Sequence, residues 1–186
     1  MRKRLNIYAI ILLFAFIVSA CKKDSKTDAP LEKNHFSVDG ADYDISQGFL
    51  SNMGMEGSAY RIDLNLLSSG LTIHEQMGLP DSLSGTGNIV SFELFCSGAG
   101  KPSTGDYIFK ITHQAGSFDQ AHYIFNWNTA TNPNPTYINF ILGTVKIIQN
   151  DPEYELSFSG TDGHNSPVTG YFKGSLKYYT YPGDKK

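Results

Sequence analysis

Five histidines, His35, His74, His113, His122 and His164, are the side chains best suited to move protons or hold a metal, and they are scattered through 186 residues. None pairs with another at a spacing that one helical turn or one strand would bring together as zinc ligands. His74-Glu75 opens like a zinc-binding helix, but Gly78 stands where the second histidine is needed and the flank reads as strand. Asp39, Asp42 and Asp44 form a loose acidic group, and a calcium site needs about 6–8 oxygen ligands in tighter loop geometry. Asp162-Gly163-His164-Asn165 reads as a hairpin turn, and Thr86-Gly87 lacks the following helix that would cradle a phosphate. Paired carboxylates for glycosidic chemistry could come from Glu75, Glu93, Asp106 or Asp119, but nothing in the sequence places two together. The chain therefore offers no catalytic residue, no metal set and no cofactor motif, and an enzymatic role stays open without a site.

Aromatic residues are the one surplus, with 11 Tyr, 12 Phe and a single Trp. Packing on half-buried strands accounts for most of them. Tyr171 and Tyr179 fall on the polar side of the last strand beside Lys173, Ser175 and Lys177, and Trp127 ends a strand next to the Asn132-Pro133-Asn134-Pro135 loop. Exposed rings with amide and hydroxyl neighbours stack on sugars or anchor a protein partner, so Trp127, Tyr171 and Tyr179 are the candidate ligand-binding residues. The alternative for Trp127 is a plug at the strand end of the core.

The N-terminus carries an address. Arg2, Lys3 and Arg4 precede an uncharged apolar run from Ile7 to Val18, followed by the small residues Ser19 and Ala20. The run matches the ~7–15 residues of a signal h-region and falls short of the ~18–20 that span a bilayer. Val18-Ser19-Ala20-Cys21 resembles a lipobox, the motif at which bacterial lipoprotein precursors are lipidated and cut, with an ordinary secretory signal cut near Ala20 as the rival. The resemblance implies that residues 1–20 are removed and that Cys21 carries a diacylglyceryl thioether and an N-acyl chain. Two such signals anchor durably where one acyl chain binds marginally. The polar stretch from Lys22 to Pro30 cannot bury enough surface to order itself, so residues 21–34 read as a lipidated, flexible tether of about 20 Å. Its Cys-Lys-Lys-Asp start resembles the charged segments of surface-exported Bacteroidota lipoproteins.

Removing the signal changes the charge. The chain has 15 basic and 18 acidic residues, and the first twenty hold three basic and no acidic ones, which leaves 12 against 18 and a net charge of −6. An acidic domain without a basic stripe is a poor nucleic-acid binder. Only Cys96 then remains, so no internal disulfide can form, and the domain must stand on its core.

The chain from 35 to 182 reads as one all-β domain, with 183–186 as a tail. Period-two alternation runs through Tyr60–Leu66, Val90–Cys96, Tyr107–Ile111, Tyr123–Trp127, Tyr137–Gln149, Tyr154–Phe158 and Val168–Tyr178, and Asp39-Gly40 joins a first hairpin. Residues 46–59 and 76–87 are rich in Gly and Ser and read as long loops, the first with room for a helical turn. Nine to eleven short strands point to an antiparallel β-sandwich, with a closed, calycin-like barrel as the rival.

The opening Phe36-x-Val38-Asp39-Gly40 and the closing pattern from Gly143-Thr144-Val145 through Tyr154, Phe158, Gly160 and Asp162 to Gly170-x-Phe172-x-Gly174-x-Leu176 resemble small Bacteroidota lipoproteins of unknown function. The resemblance implies a fold and a compartment but supplies no catalytic residue. The sequence thus points to a lipoprotein held on the cell envelope, on the outer membrane facing the periplasm or the exterior. It would act there as a non-catalytic binding or accessory module for a glycan, peptide or protein. An envelope hydrolase with an unrecognised site is the alternative.

Overall fold

The computed structural model describes residues 33–181; Cys21, the signal and most of the tether lie outside them. The described residues form twelve strands: β1 (His35–Val38), β2 (Ala41–Asp44), β3 (Gln47–Glu56), β4 (Ala59–Leu67), β5 (Leu71–Gln76), β6 (Leu79–Cys96), β7 (Gly105–Phe109), β8 (Ser117–Asn128), β9 (Ile138–Asn150), β10 (Tyr154–Asp162), β11 (Pro167–Gly174) and β12 (Lys177–Thr180). The all-β expectation holds. Eleven of them follow one another in a single, strongly curled sheet, β12-β3-β4-β6-β8-β7-β9-β10-β11-β1-β2, that makes a half-barrel, while β5 pairs with the first part of β6. The sheet is mixed, because β12 runs parallel to β3 and β7 parallel to β8.

Curvature comes from register shifts that add a residue to one strand of a pair. Such shifts occur in β3 between Asn52 and Gly54, twice between β6 and β8, and twice between β9 and β10. Gly143 faces Gly160 across the β9–β10 pair, where a Cβ on Gly143 would lie 2.6 Å from the Ser159 carbonyl oxygen. On β11 the Phe158 ring lies in the space over Gly170, so the glycines alternating with bulky residues make room for a ring.

The curl brings two limbs face to face over an aromatic core. Phe92 on β6 meets Phe158 on β10 at 5.0 Å and Phe140 on β9 at 5.4 Å, ring centre to ring centre. Tyr43 on β2 stacks on Phe125 of β8 at 4.2 Å, and Phe36 on β1 lies 5.8 Å from the same ring. Cys96 is buried on this face, as its strand position required, and burial pushes its thiol up to about 11.

Three sequence expectations change. Within 46–59, Gln47–Glu56 is strand β3 and Gly57-Ser58 the turn into β4, not a long loop or helical turn, and 79–87 extend β6 to 18 residues. The two-residue turn Met77-Gly78, both at positive φ, folds β5 and the start of β6 into a hairpin arm, with Met77 97% exposed at its tip. The strand expected from Val168 to Tyr178 breaks at Ser175-Leu176, and its last part crosses to pair with β3.

Candidate ligand cleft and its charged surround

The outer face of the β3–β4–β6 limb is set by alternation. Ile62, Leu64 and Leu66 enter the core, which turns Arg61, Asp63 and Asn65 outward. Val90, Phe92 and Leu94 do the same for Ser91, Glu93 and Phe95. The hairpin arm folds over part of this face on a second apolar cluster, Leu67, Leu71, Ile89 and Ile124, with Phe49, Ile73, Leu83 and Trp127 packed against it. Polar ties complete the seating. Glu75 on the arm accepts from Tyr179 Oη at 2.6 Å and from Lys177 Nζ at 2.6 and 2.8 Å, and Tyr181 Oη donates to the Pro80 carbonyl at 3.2 Å.

Between arm and sheet lies a cleft of about 230 Å³. Ser51, Asp63 and Asn65 come from the sheet, Asp81 and Leu83 from the arm, and Phe49 and Tyr181 add rings. Asn65 Oδ1 accepts from Ser91 Oγ at 2.7 Å. Ser51 is only 4% exposed, yet its hydroxyl has no hydrogen-bond partner among the described residues.

Asp63 also belongs to a charged network beside the cleft. Arg61 donates to Asp63 through Nε at 2.8 Å and Nη2 at 3.1 Å, and to Glu93 at 2.5 Å. Glu56 stands 3.6 Å from Arg61 and 3.1 Å from His113 Nδ1, while His113 Nε2 lies 2.7 Å from Asp119. The imidazole stacks on Phe95 at 4.4 Å and 8°. Burial pushes the Glu93 carboxyl up to about 7, against the pull of Arg61, and burial also raises Asp63. Two of the four carboxylates singled out in the sequence, Glu93 and Asp119, thus meet in one network. Glu75 lies on the arm instead, and Asp106 pairs across to Lys146 on β9.

The network binds itself more than it invites a substrate. Asp63 and Glu93 both hold the guanidinium, and both His113 nitrogens face carboxylates, so the ring has no free nitrogen to act as a base.

The aromatic candidates are placed differently from expectation. Tyr171 and Tyr179 are 8% and 3% exposed, not open rings, because each hydroxyl reaches a carboxylate: Tyr171 donates to Glu155 at 3.1 Å and Tyr179 to Glu75. Trp127 donates its indole N–H to the Asn132 carbonyl at 2.6 Å and packs on the arm's apolar cluster, the strand-end plug. In the first hairpin Asp39 accepts from Ser166 and Asp44 from Ser69, so these carboxylates serve different neighbours. Asp162 is buried and accepts from Tyr123 Oη and the amides of His164 and Ser166, which makes its segment a turn. Ser51 and Asp81 are hidden in the sequence because the Gly- and Ser-rich segments around them carry no strand alternation. Comparison of the chain with protein-family models, with curated proteins and with solved structures finds no match.

Proposed function

We propose that this chain is a lipid-anchored lipoprotein of the bacterial cell envelope, on the outer membrane, and that it works as a non-catalytic binding module. Its anchor would be the lipid on Cys21, and its binding site the cleft under the hairpin arm. The Ser51 hydroxyl carries the second part: the residue is 4% exposed, its hydroxyl has no partner among the described residues, and it lines the cleft, where a ligand atom would meet it. The cleft, at about 230 Å³, is below the ~300–1,000 Å³ of drug-sized sites, so it suits one sugar ring or one side chain of a larger glycan or peptide. In this reading the two limbs are the layers of a sandwich left joined along one side.

The test uses the full chain in its membrane. Labelled fatty acid should enter the wild type and not Cys21→Ala. The detergent-solubilised chain should bind an envelope glycan or peptide saturably, and Ser82→Trp at the cleft rim should remove that binding. Labelling of Cys21→Ala, or binding indifferent to Ser82→Trp, contradicts the proposal. An envelope hydrolase is the second reading, favoured by one observation: a carboxyl poised at about 7, Glu93, next to a cleft.

A further inference from the structure

We infer that the cleft takes a primary ammonium group on a short apolar stem, the chemistry of a small alkyl amine or a lysine side chain. The inference rests on reading the cleft as a ligand site and goes on to name the ligand's charge. Acceptors dominate the lining. Asp63 and Asp81 border the cleft, and no lysine or arginine does. Asp81 is exposed and forms no ion pair among the described residues. A carboxylate offers about four lone-pair sites, and Arg61 occupies two on Asp63, which leaves acceptor capacity for another donor. The Ser51 hydroxyl lines the cleft without a partner among the described residues, and it can accept from an N–H.

The neighbouring cations are already committed. Arg61 is shared among Asp63, Glu93 and Glu56, and Lys177 is held by Glu75. Asp63 and Asp81 line the cleft, and Glu56 and Asp119 add negative charge to the network behind Asp63, so the local field favours a cation. An anion would meet acceptors and repulsion. Phe49, Tyr181 and Leu83 supply apolar surface for a stem, and a ring face attracts an ammonium within about 6 Å of its centre. A cleft of this volume admits a residue-sized group.

The experiment titrates the full-length, ¹⁵N-labelled chain in detergent with four probes: 1,5-diaminopentane, Nα-acetyl-lysine methylamide, its Nε-acetylated counterpart, and glucose. Both amines should shift the Ser51, Asn65 and Ser82 amides saturably, and the two neutral probes should not. Loss of a charge-assisted contact in Asp81→Asn should weaken amine binding about tenfold with the fold intact. Tighter binding of the lysine methylamide than of the diamine assigns a peptide as the source of the ammonium, and the reverse assigns a free amine. Neutral probes that shift the same amides equally, or an Asp81→Asn chain that binds as the wild type does, overturn the ammonium and leave the cleft as a ligand site. Absence of shifts at these amides with every probe overturns both readings.

Discussion

Glu93 illustrates how burial decides the behaviour of a single carboxyl. Its side chain is 17% exposed, and it touches the Arg61 guanidinium, yet the loss of water outweighs that attraction and its pKa reaches about 7. In the unfolded chain a glutamate titrates near ~4.3. Between those two values the native state holds a proton that the unfolded state has released. Stability from this group is therefore complete below about pH 4.3 and lost as pH rises through about 7. Glu93→Gln should flatten this limb: the difference in Tm between variant and wild type should grow in the variant's favour from pH 5 to pH 8. Parallel Tm profiles across that range would show that the Glu93 proton plays no part. Cys96 carries the opposite lesson, because its raised thiol stays protonated and inert at the same pH values.

Between β7 and β8 the chain makes a loop, Lys110–Gly116, whose His113 ties two elements together. The ring lies flat on Phe95 while its nitrogens reach Glu56 at the end of β3 and Asp119 on β8. His113→Ala removes both ties and uncovers Phe95, so amide exchange over residues 110–116 should quicken about tenfold, with the β4 and β6 amides unchanged. Unchanged exchange in the loop would mean that its backbone bonds, such as Gly116 N–H to the Phe95 carbonyl at 2.9 Å, suffice. Much of this level was legible in the sequence. The alternation of Tyr60 to Leu66 sets Arg61 and Asp63 on the wet face, and Asp39-Gly40 makes its hairpin with both residues at positive φ. What was illegible depends on register and on partners far along the chain. Glu93 meets Arg61 only because β4 and β6 pair Asp63 with Glu93. β3 was hidden because polar Ser51 and Asn52 are buried in it, the second satisfied by the Ala99 carbonyl at 2.8 Å. The arm was hidden because its inner side borders a half-wet cleft, which erases the contrast between faces. Tyr171 and Tyr179 look polar-sided in sequence, and only the positions of Glu155 and Glu75 draw them in.

The whole molecule depends on one sheet meeting itself. Phe92 contacts Phe118 on its own limb and Phe140 and Phe158 on the other, so its ring belongs to both. Phe92→Ala should cost about 3–5 kcal/mol in urea denaturation, with one transition retained because no limb has this core to itself. Loss below about 1 kcal/mol, or two separate transitions, would show that the limbs stand independently. The strand order has a further consequence, in time. The first strand pairs with the next to last, and the last with the third, each across more than 100 residues. Such pairings have the highest loop-closure cost and come late in folding. Until residues 177–180 arrive, the β3 edge has no partner and the arm lacks the lysine and tyrosine that grip Glu75. The arm's grip on the sheet is therefore among the contacts the chain makes last.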